Sequence, residues 1–313
     1  MNPFTKKNKT VKVFYDNDGN IDDMISLFML LNTPNIDILG ISFIPADSDL
    51  EVGLEANLKI LSMTNKSIKL GFSKEKGKNP FPDHCTIFAY RALMIPTFLN
   101  TKAKEELIVK DKPACDFMAE TILNCPDQVT VLLTGPPTNF ILAIGKYPKL
   151  KTKIEKVVWM GGAVDVPGNN ELETAELNAY WDPVSTKKLL TSKLNVVMFP
   201  LDATNQVPVN RKILEKLAQQ CNYDASNMSS QLFATIFFKD SYYMWDMLTT
   251  AYVGTNEYVQ FRKLELDVIV DGKEEGKIIK TPGSGTFVKV ADKIDLQKFY
   301  DYFFKVLQYN FNK

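Results

Sequence analysis

The sequence predicts an α/β fold, a mostly parallel, Rossmann-like sheet flanked by helices with its site at the carboxyl ends of the strands. Three observations predict it. Short runs rich in β-branched residues alternate with helical patterns along residues 11–219, the rhythm of βαβ units. The 313 residues are 45% hydrophobic and no Pro/Gly-rich linker divides them, so one large core and a single domain over 1–313 are expected. The first strand-to-helix junction, Asp16-Asn17-Asp18-Gly19-Asn20-Ile21-Asp22-Asp23, gathers four carboxylates where an open parallel sheet binds its ligands.

Strands are expected at Val11–Tyr15, Ile38–Ile44, Ile68–Gly71, Val129–Leu133, Val157–Met160 and Val196–Phe199. Helical periodicity falls between them, at Ile21–Leu31, Leu50–Met63, Cys115–Leu123, Thr138–Ile144, Pro183–Leu190 and Arg211–Gln219. A long helical region follows over about Asn227–Tyr252. A hairpin is read from Leu264–Val270, Asp271-Gly272 and Lys277–Lys280. Residues 293–309 read as a final amphipathic helix with Phe299, Tyr302, Phe303 and Leu307 on its apolar face. Two stretches break the rhythm. Lys74–Asn100 carries Pro80, Pro82 and Pro96 and reads as a long lid or binding loop, and Asp165–Thr174 reads as a second loop.

Composition excludes several function classes. The 37 basic and 37 acidic residues cancel, so neither a nucleic acid nor a membrane surface is an expected partner. Residues 1–10 are polar and lysine-rich without an apolar stretch behind them, so no secretory leader is expected. Cys85, Cys115, Cys125 and Cys221 are scattered without a CxxC pair, which suits reduced thiols in the cytoplasm. His84 is the only histidine, so no His-ligated zinc and no His-pair mechanism is available. Acid–base work falls mainly to carboxylates, water or the substrate.

Four constellations carry chemistry. The acidic cluster exceeds what helix capping uses, and four acids so close repel unless they share a cation. An EF-hand is a poor match, because its sixth and twelfth loop positions fall on Ile21 and Leu27. Next, Thr134-Gly135-Pro136-Pro137-Thr138-Asn139 forms a tight strand-to-helix turn whose backbone carbonyls suit calcium. Third, Trp159-Met160-Gly161-Gly162 leads to Asn170, Glu176, Asn178 and Asp182-Pro183, offering a carboxylate and two amides of the kind that grip sugar hydroxyls. Fourth, Trp245-Asp246 sets an acid among Met244, Met247 and Leu248, where burial requires a partner such as a metal.

In order and spacing, these four resemble the nucleoside hydrolase family over nearly the whole chain. Asp16, Asp18, Asp22 and Asp23 match its DxDxxxDD opening, and Thr134 to Asn139 match its TGPxTN turn. Gly161-Gly162, Asn170, Glu176, Asn178 and Asp182-Pro183 match its central stretch, with Leu177 where the family has Phe, and Asp246 matches its late calcium-binding Asp. The resemblance implies calcium-dependent hydrolysis of the N-glycosidic bond of ribonucleosides and a homodimer. Trp245 stands where uridine-accepting members carry His. With Asp18-Gly19-Asn20 and Asp47-Ser48-Asp49, it is similar to the purine-preferring inosine-adenosine-guanosine branch. The expected substrates are then inosine, guanosine and adenosine, cleaved to base and ribose in purine salvage.

The resemblance also implies roles. Asp18 would bind calcium and act as the base toward water. Asp23, Asp246 and the Thr134 carbonyl would complete the metal site, and Asp16 would orient the others. Asp22 and Asn178 would hold the 2′- and 3′-hydroxyls, and Asn170 and Glu176 the 5′-hydroxyl, with Met160 under the ribose. Asp49 and Asn20 would lie toward the base, stacked on Trp245. The branch places a second Trp near Pro80–Pro82, and this chain has none there. Phe81, His84, Phe88 or Tyr90 is expected to close the stack, and His84 could also donate a proton. Two rival readings remain: a catalytically degenerate nucleoside- or calcium-binding protein, and a haloacid dehalogenase-type phosphatase that would use magnesium and require Asp16.

Overall fold

A computed structural model describes residues 10–237 and 242–311, with the side chains of 83–85 excepted. Nine strands form one sheet: β1 (Val11–Asn17), β2 (Ile36–Phe43), β3 (Leu70–Phe72), β4 (Val129–Leu133), β5 (Ile154–Met160), β6 (Val196–Phe199), β7 (Val259–Val268), β8 (Ile278–Lys280) and β9 (Thr286–Ile294). Their order is β3-β2-β1-β4-β5-β6-β9-β7-β8. From β3 to β9 every pairing is parallel; β7 pairs antiparallel with both β9 and β8. The central strands read as continuous apolar runs because helices cover both faces: all of Val129–Leu133 is buried.

Strand order reverses between β1 and β4, and the crevice beyond their carboxyl ends is the natural ligand position of an open sheet. The acidic cluster lies there. β1 runs straight into the helix Ile21–Asn32 through a turn at Gly19, whose φ is +83°. A Cβ at Gly19 would come within 2.6 Å of Phe43 and 2.9 Å of the Gly53 backbone, so both conformation and space demand glycine. Asn20 caps the helix: its side chain accepts from the Ile21 N–H at 2.8 Å, and Asp23 accepts from the Asn20 N–H at 2.9 Å.

Three expectations need correction. The stretch Lys74–Asn100 is not one loop: it holds the helices Asp83–Leu93 and Pro96–Asn100. Pro82 is the N-cap of the first and Pro96 opens the second, positions where proline starts a helix. The helical region Asn227–Tyr252 is two helices, Asp224–Ala234 and Trp245–Gly254. Between them Tyr243 bridges antiparallel to Pro208, the Val209 N–H donates to the Tyr242 carbonyl at 2.8 Å, and the Met244 N–H donates to the Val207 carbonyl at 2.9 Å. The sheet also gains β9, a strand absent from the sequence reading, inserted between β6 and β7.

The final helix, Leu296–Val306, buries Phe299, Tyr302 and Phe303 as its periodicity predicts. Among the described residues, no helix is long and apolar enough to cross a membrane, and Cys115, Cys125 and Cys221 are free thiols.

Candidate active site

Two helix starts meet beyond the sheet. Asp22 and Asp23 occupy the first turn of Ile21–Asn32, and Asp246 the first turn of Trp245–Gly254; the two helices pack against each other. The break before Trp245 therefore serves the site, because it places Trp245 and Asp246 at a helix N-terminus, where the dipole favours negative charge. Carboxylate oxygens of Asp22, Asp23 and Asp246 all lie within 4.8 Å of one another, and all three residues are buried.

Asp23 is held from three sides. It accepts from Thr134 Oγ1 at 2.5 Å and Tyr15 Oη at 3.2 Å through one oxygen, and from the Asn20 N–H through the other. The charge of Asp23 opposes the ionisation of both Asp18 and Asp246. Burial pushes Asp18, Asp22 and Asp246 well above the usual carboxylate range, and neighbouring acids push them further. Asp16 lies beneath the cluster, accepting from Ser42 Oγ and from Asn139 Nδ2 at 2.9 Å; burial raises it to about 7.

Asp18, Asp22 and Asp246 border a cavity of about 240 Å³, also lined by Asn20, Asp47, Thr134 and Met160. Phe81, Phe88, Tyr242 and Trp245 line it with aromatic rings, and Asn169, Glu176 and Asn178 add amide and carboxylate groups, with Leu177 among them. No Lys, Arg or His is among the described lining residues. Buried acids that raise one another's pKa, without a basic partner on the cavity wall, suit a hard divalent cation with oxygen ligands. The carboxylates near enough to share such an ion are Asp22, Asp23 and Asp246, with Asp18 and Thr134 lining the same cavity. The Thr134 and Met160 carbonyls accept from Asn178 Nδ2 at 3.2 and 3.1 Å.

The structure brings together Asp18, Asn20, Asp22, Thr134, Met160, Glu176, Asn178, Trp245, Asp246 and Phe81 around one cavity, with Asp23 packed behind them. It separates others. Asp49 is exposed at the start of the helix Leu50–Met63 and borders different surface depressions; Asp47, two residues earlier, lines the cavity in its place. Asn170 is buried but occupied within its own loop, accepting from the Thr174 and Ala175 N–H groups at 2.8 and 3.1 Å, while Asn169 borders the cavity. Of the candidates for the second stacking ring, Phe81 and Phe88 line the cavity and Tyr90 is exposed away from it. His84 lies in the first turn of Asp83–Leu93, and its side chain is outside the described residues. Tyr242 was not singled out in the sequence. It packs edge-on to Trp245 with ring centroids 4.7 Å apart, and its position reads as mid-helix unless the break before Trp245 is known. Asp16 does not line the cavity, which leaves a phosphatase without its required nucleophile.

Glu176 caps the short helix Leu177–Trp181. Its carboxylate accepts from the N–H groups of Asn178 at 2.7 Å, Gly162 at 2.7 Å and Ala179 at 3.1 Å, while burial raises it to about 7.

A family model described as inosine-uridine preferring nucleoside hydrolase matches residues 13–301. The crystal structure of an inosine-uridine preferring nucleoside hydrolase from Bacillus anthracis superposes with a TM-score of 0.89 at 32% identity, covering 95% of this chain and 99% of its own. A purine-preferring ribonucleoside hydrolase from Gardnerella vaginalis shares the fold, with a TM-score of 0.79, 22% identity, and 95% and 98% coverage. Curated relatives include the probable uridine nucleosidase 2 of Arabidopsis thaliana, 26% identical over 66% of this chain and 64% of its own length. Another is the pyrimidine-specific ribonucleoside hydrolase RihA of Salmonella newport (strain SL254), 26% identical over 65% and 64%. The chain thus spans just under two thirds of the length of the curated relatives it matches.

Proposed function

This chain belongs to the inosine-uridine preferring nucleoside hydrolase family, and on that premise we propose that it hydrolyses the N-glycosidic bond of purine ribonucleosides with calcium bound. One observation carries the reading: buried acids from two distant helix starts converge beside a cavity lined both by aromatic rings and by amide and carboxylate groups. A degenerate binding protein would have no use for Asp18 poised among these acids.

Cleavage of a ribosyl–nitrogen bond builds positive charge on the sugar, as in glycoside cleavage generally. Asp18 takes the proton from the attacking water. Asp22 and Asn178 hold the 2′- and 3′-hydroxyls, and Met160 packs under the ribose. Glu176 and Asn169 stand toward the 5′-hydroxyl. The carboxylates around the sugar favour the cationic transition state over the neutral nucleoside. Calcium, when held by Asp18, Asp23, Asp246 and the Thr134 carbonyl, supplies the charge that lets these acids ionise together and makes water more acidic. Trp245, Phe88 and Phe81 offer ring faces to the leaving base, and Asn20 and Asp47 its polar contacts. Trp245 in place of a histidine beside Asp246 and the aromatic residues Phe81, Phe88 and Tyr242 in the cavity lining favour purines over uridine. A homodimer and a cytoplasmic location belong to the same proposal.

A panel of inosine, guanosine, adenosine and uridine, assayed for ribose release with and without chelator, tests it. Purine turnover that chelator abolishes is expected. Trp245→Ala is expected to lower kcat/KM for inosine by about 10- to 100-fold, the size of a lost stacking partner for one base. Inert nucleosides with calcium supplied would reject the hydrolase reading. Uridine turned over as fast as inosine would reject only the purine preference.

A further inference from the structure

Asn169, Glu176 and Asn178 of the cavity lining are carried by the loop between Gly162 and Asn178, and that loop is tied at its base to the antiparallel edge of the sheet. Arg262, in the middle of β7, reaches three carboxylates. Its Nη1 lies 2.7 Å from Asp165, its Nη2 3.2 Å from Asp202 and its Nε 3.2 Å from Asp292 of the neighbouring β9. Lys280 makes a second ion pair to Asp165 at 2.5 Å. Asp202 in turn accepts from the N–H groups of Val164 and Asp165, both at 2.8 Å. The Leu201 N–H donates to the Gly162 carbonyl at 2.8 Å, and the Gly162 N–H donates to Glu176. Hydrogen bonds joined by short stretches of backbone therefore connect the guanidinium, through Asp202, Leu201 and Gly162, to the Glu176 carboxylate, which accepts from the Asn178 N–H.

We propose that Arg262 is a positioning residue for the sugar side of the cavity: it latches the stem of the loop so that Asn169, Glu176 and Asn178 meet the ribose in register. The role rests on the ribonucleoside reading above. A guanidinium suits it because its planar fork can serve three carboxylates at once, which an ammonium on a flexible stem cannot. The β7–β9 pairing opposite Arg262 is made by backbone groups, so the sheet does not depend on the side chain. Small displacements of groups that orient a substrate have large effects on rate, which is how a residue outside the cavity acts on the sugar.

The test uses Arg262→Ala, Arg262→Lys and, in case loss of the arginine disturbs folding, Asp165→Asn, which cuts the loop's own ion pairs and leaves Arg262 with Asp202 and Asp292. Two quantities are read in each: backbone hydrogen exchange over residues 163–178, and the ratio of kcat/KM for inosine to that for 5′-deoxyinosine. Exchange in that segment is expected to rise in Arg262→Ala and Asp165→Asn. The preference for the 5′-hydroxyl is expected to shrink about tenfold in Arg262→Ala, with Arg262→Lys between it and the parent. Unchanged exchange in both variants overturns the latch whatever the activity. Faster exchange with an unchanged preference overturns the positioning role. A parent protein that turns over no nucleoside, with exchange rising in the variants, rejects the functional reading and supports the latch.

Discussion

Asp18→Asn is expected to lower kcat for inosine by about 10³-fold at saturating calcium, the middle of the range for loss of a general base. The amide keeps the shape of the carboxyl and can still donate or accept one hydrogen bond, but it cannot take a proton from water. The same change is expected to leave folding intact. Asp18 is buried, and the charges of Asp23, Asp47 and Asp22 all oppose its ionisation, so a neutral isostere relieves repulsion in the chelated protein. A lower kcat with an equal or higher melting temperature without calcium is the expected pairing. Unchanged kcat would remove Asp18 from proton transfer. A collapsed fold would show that its charge is part of the scaffold.

The second large effect is the response of stability to calcium and pH. In chelated protein the buried acids are harder to ionise than in the unfolded chain: burial holds Asp16 and Glu176 at about 7, against ordinary values of 3.8 and 4.5. Asp18, Asp22 and Asp246 shift in the same direction. The folded state thus binds more protons than the unfolded state, and stability falls as pH rises. That contribution is complete below about pH 4 and is lost as pH climbs through about 7. Calcium reverses the sign for the acids that hold it, because the ion favours their charged forms. The melting temperature without calcium is expected to decline from pH 5 to pH 8, and with calcium to hold or rise. At calcium 100-fold above its dissociation constant the linkage amounts to about 2.7 kcal/mol. Parallel pH profiles with and without calcium would contradict the assignment of the acids to a cation site.

Much of this was legible in the sequence because it is local. The apolar runs of the parallel strands, the acids after the first strand and the Gly-Pro turn before Thr138 each declare themselves within ten residues or so. What was missed depends on distant partners. β9 follows the turn cluster Thr281-Pro282-Gly283-Ser284-Gly285; Phe287, Val288 and Val290 are a short β signal interrupted by Lys289, Asp292 and Lys293, and β6 on one side and β7 on the other complete its hydrogen bonds. The prolines of Lys74–Asn100 make that stretch read as a long loop, yet Pro82 and Pro96 each sit where a helix begins and a missing N–H costs nothing. The break before Trp245 is set by pairing with Val207 and Val209, which no local pattern reveals. Asp47 and Asp49 differ by two residues, and only the helix start at Leu50 decides that Asp49 turns outward. Asn169 and Asn170 likewise exchange parts, because the loop folds back on itself through the Asn169 and Asn170 N–H groups, both bonded to the Ala175 carbonyl at 3.1 Å.

The central claim is that Asp23 from one end of the chain and Asp246 from the other bind one divalent ion together. Calorimetric titration of calcium into chelator-stripped protein, alongside Asp246→Ala, tests it most directly. One tight calcium per chain in the parent and none in the variant is the predicted result. An Asp246→Ala protein that binds calcium as tightly as the parent, or a parent that binds none, would contradict it.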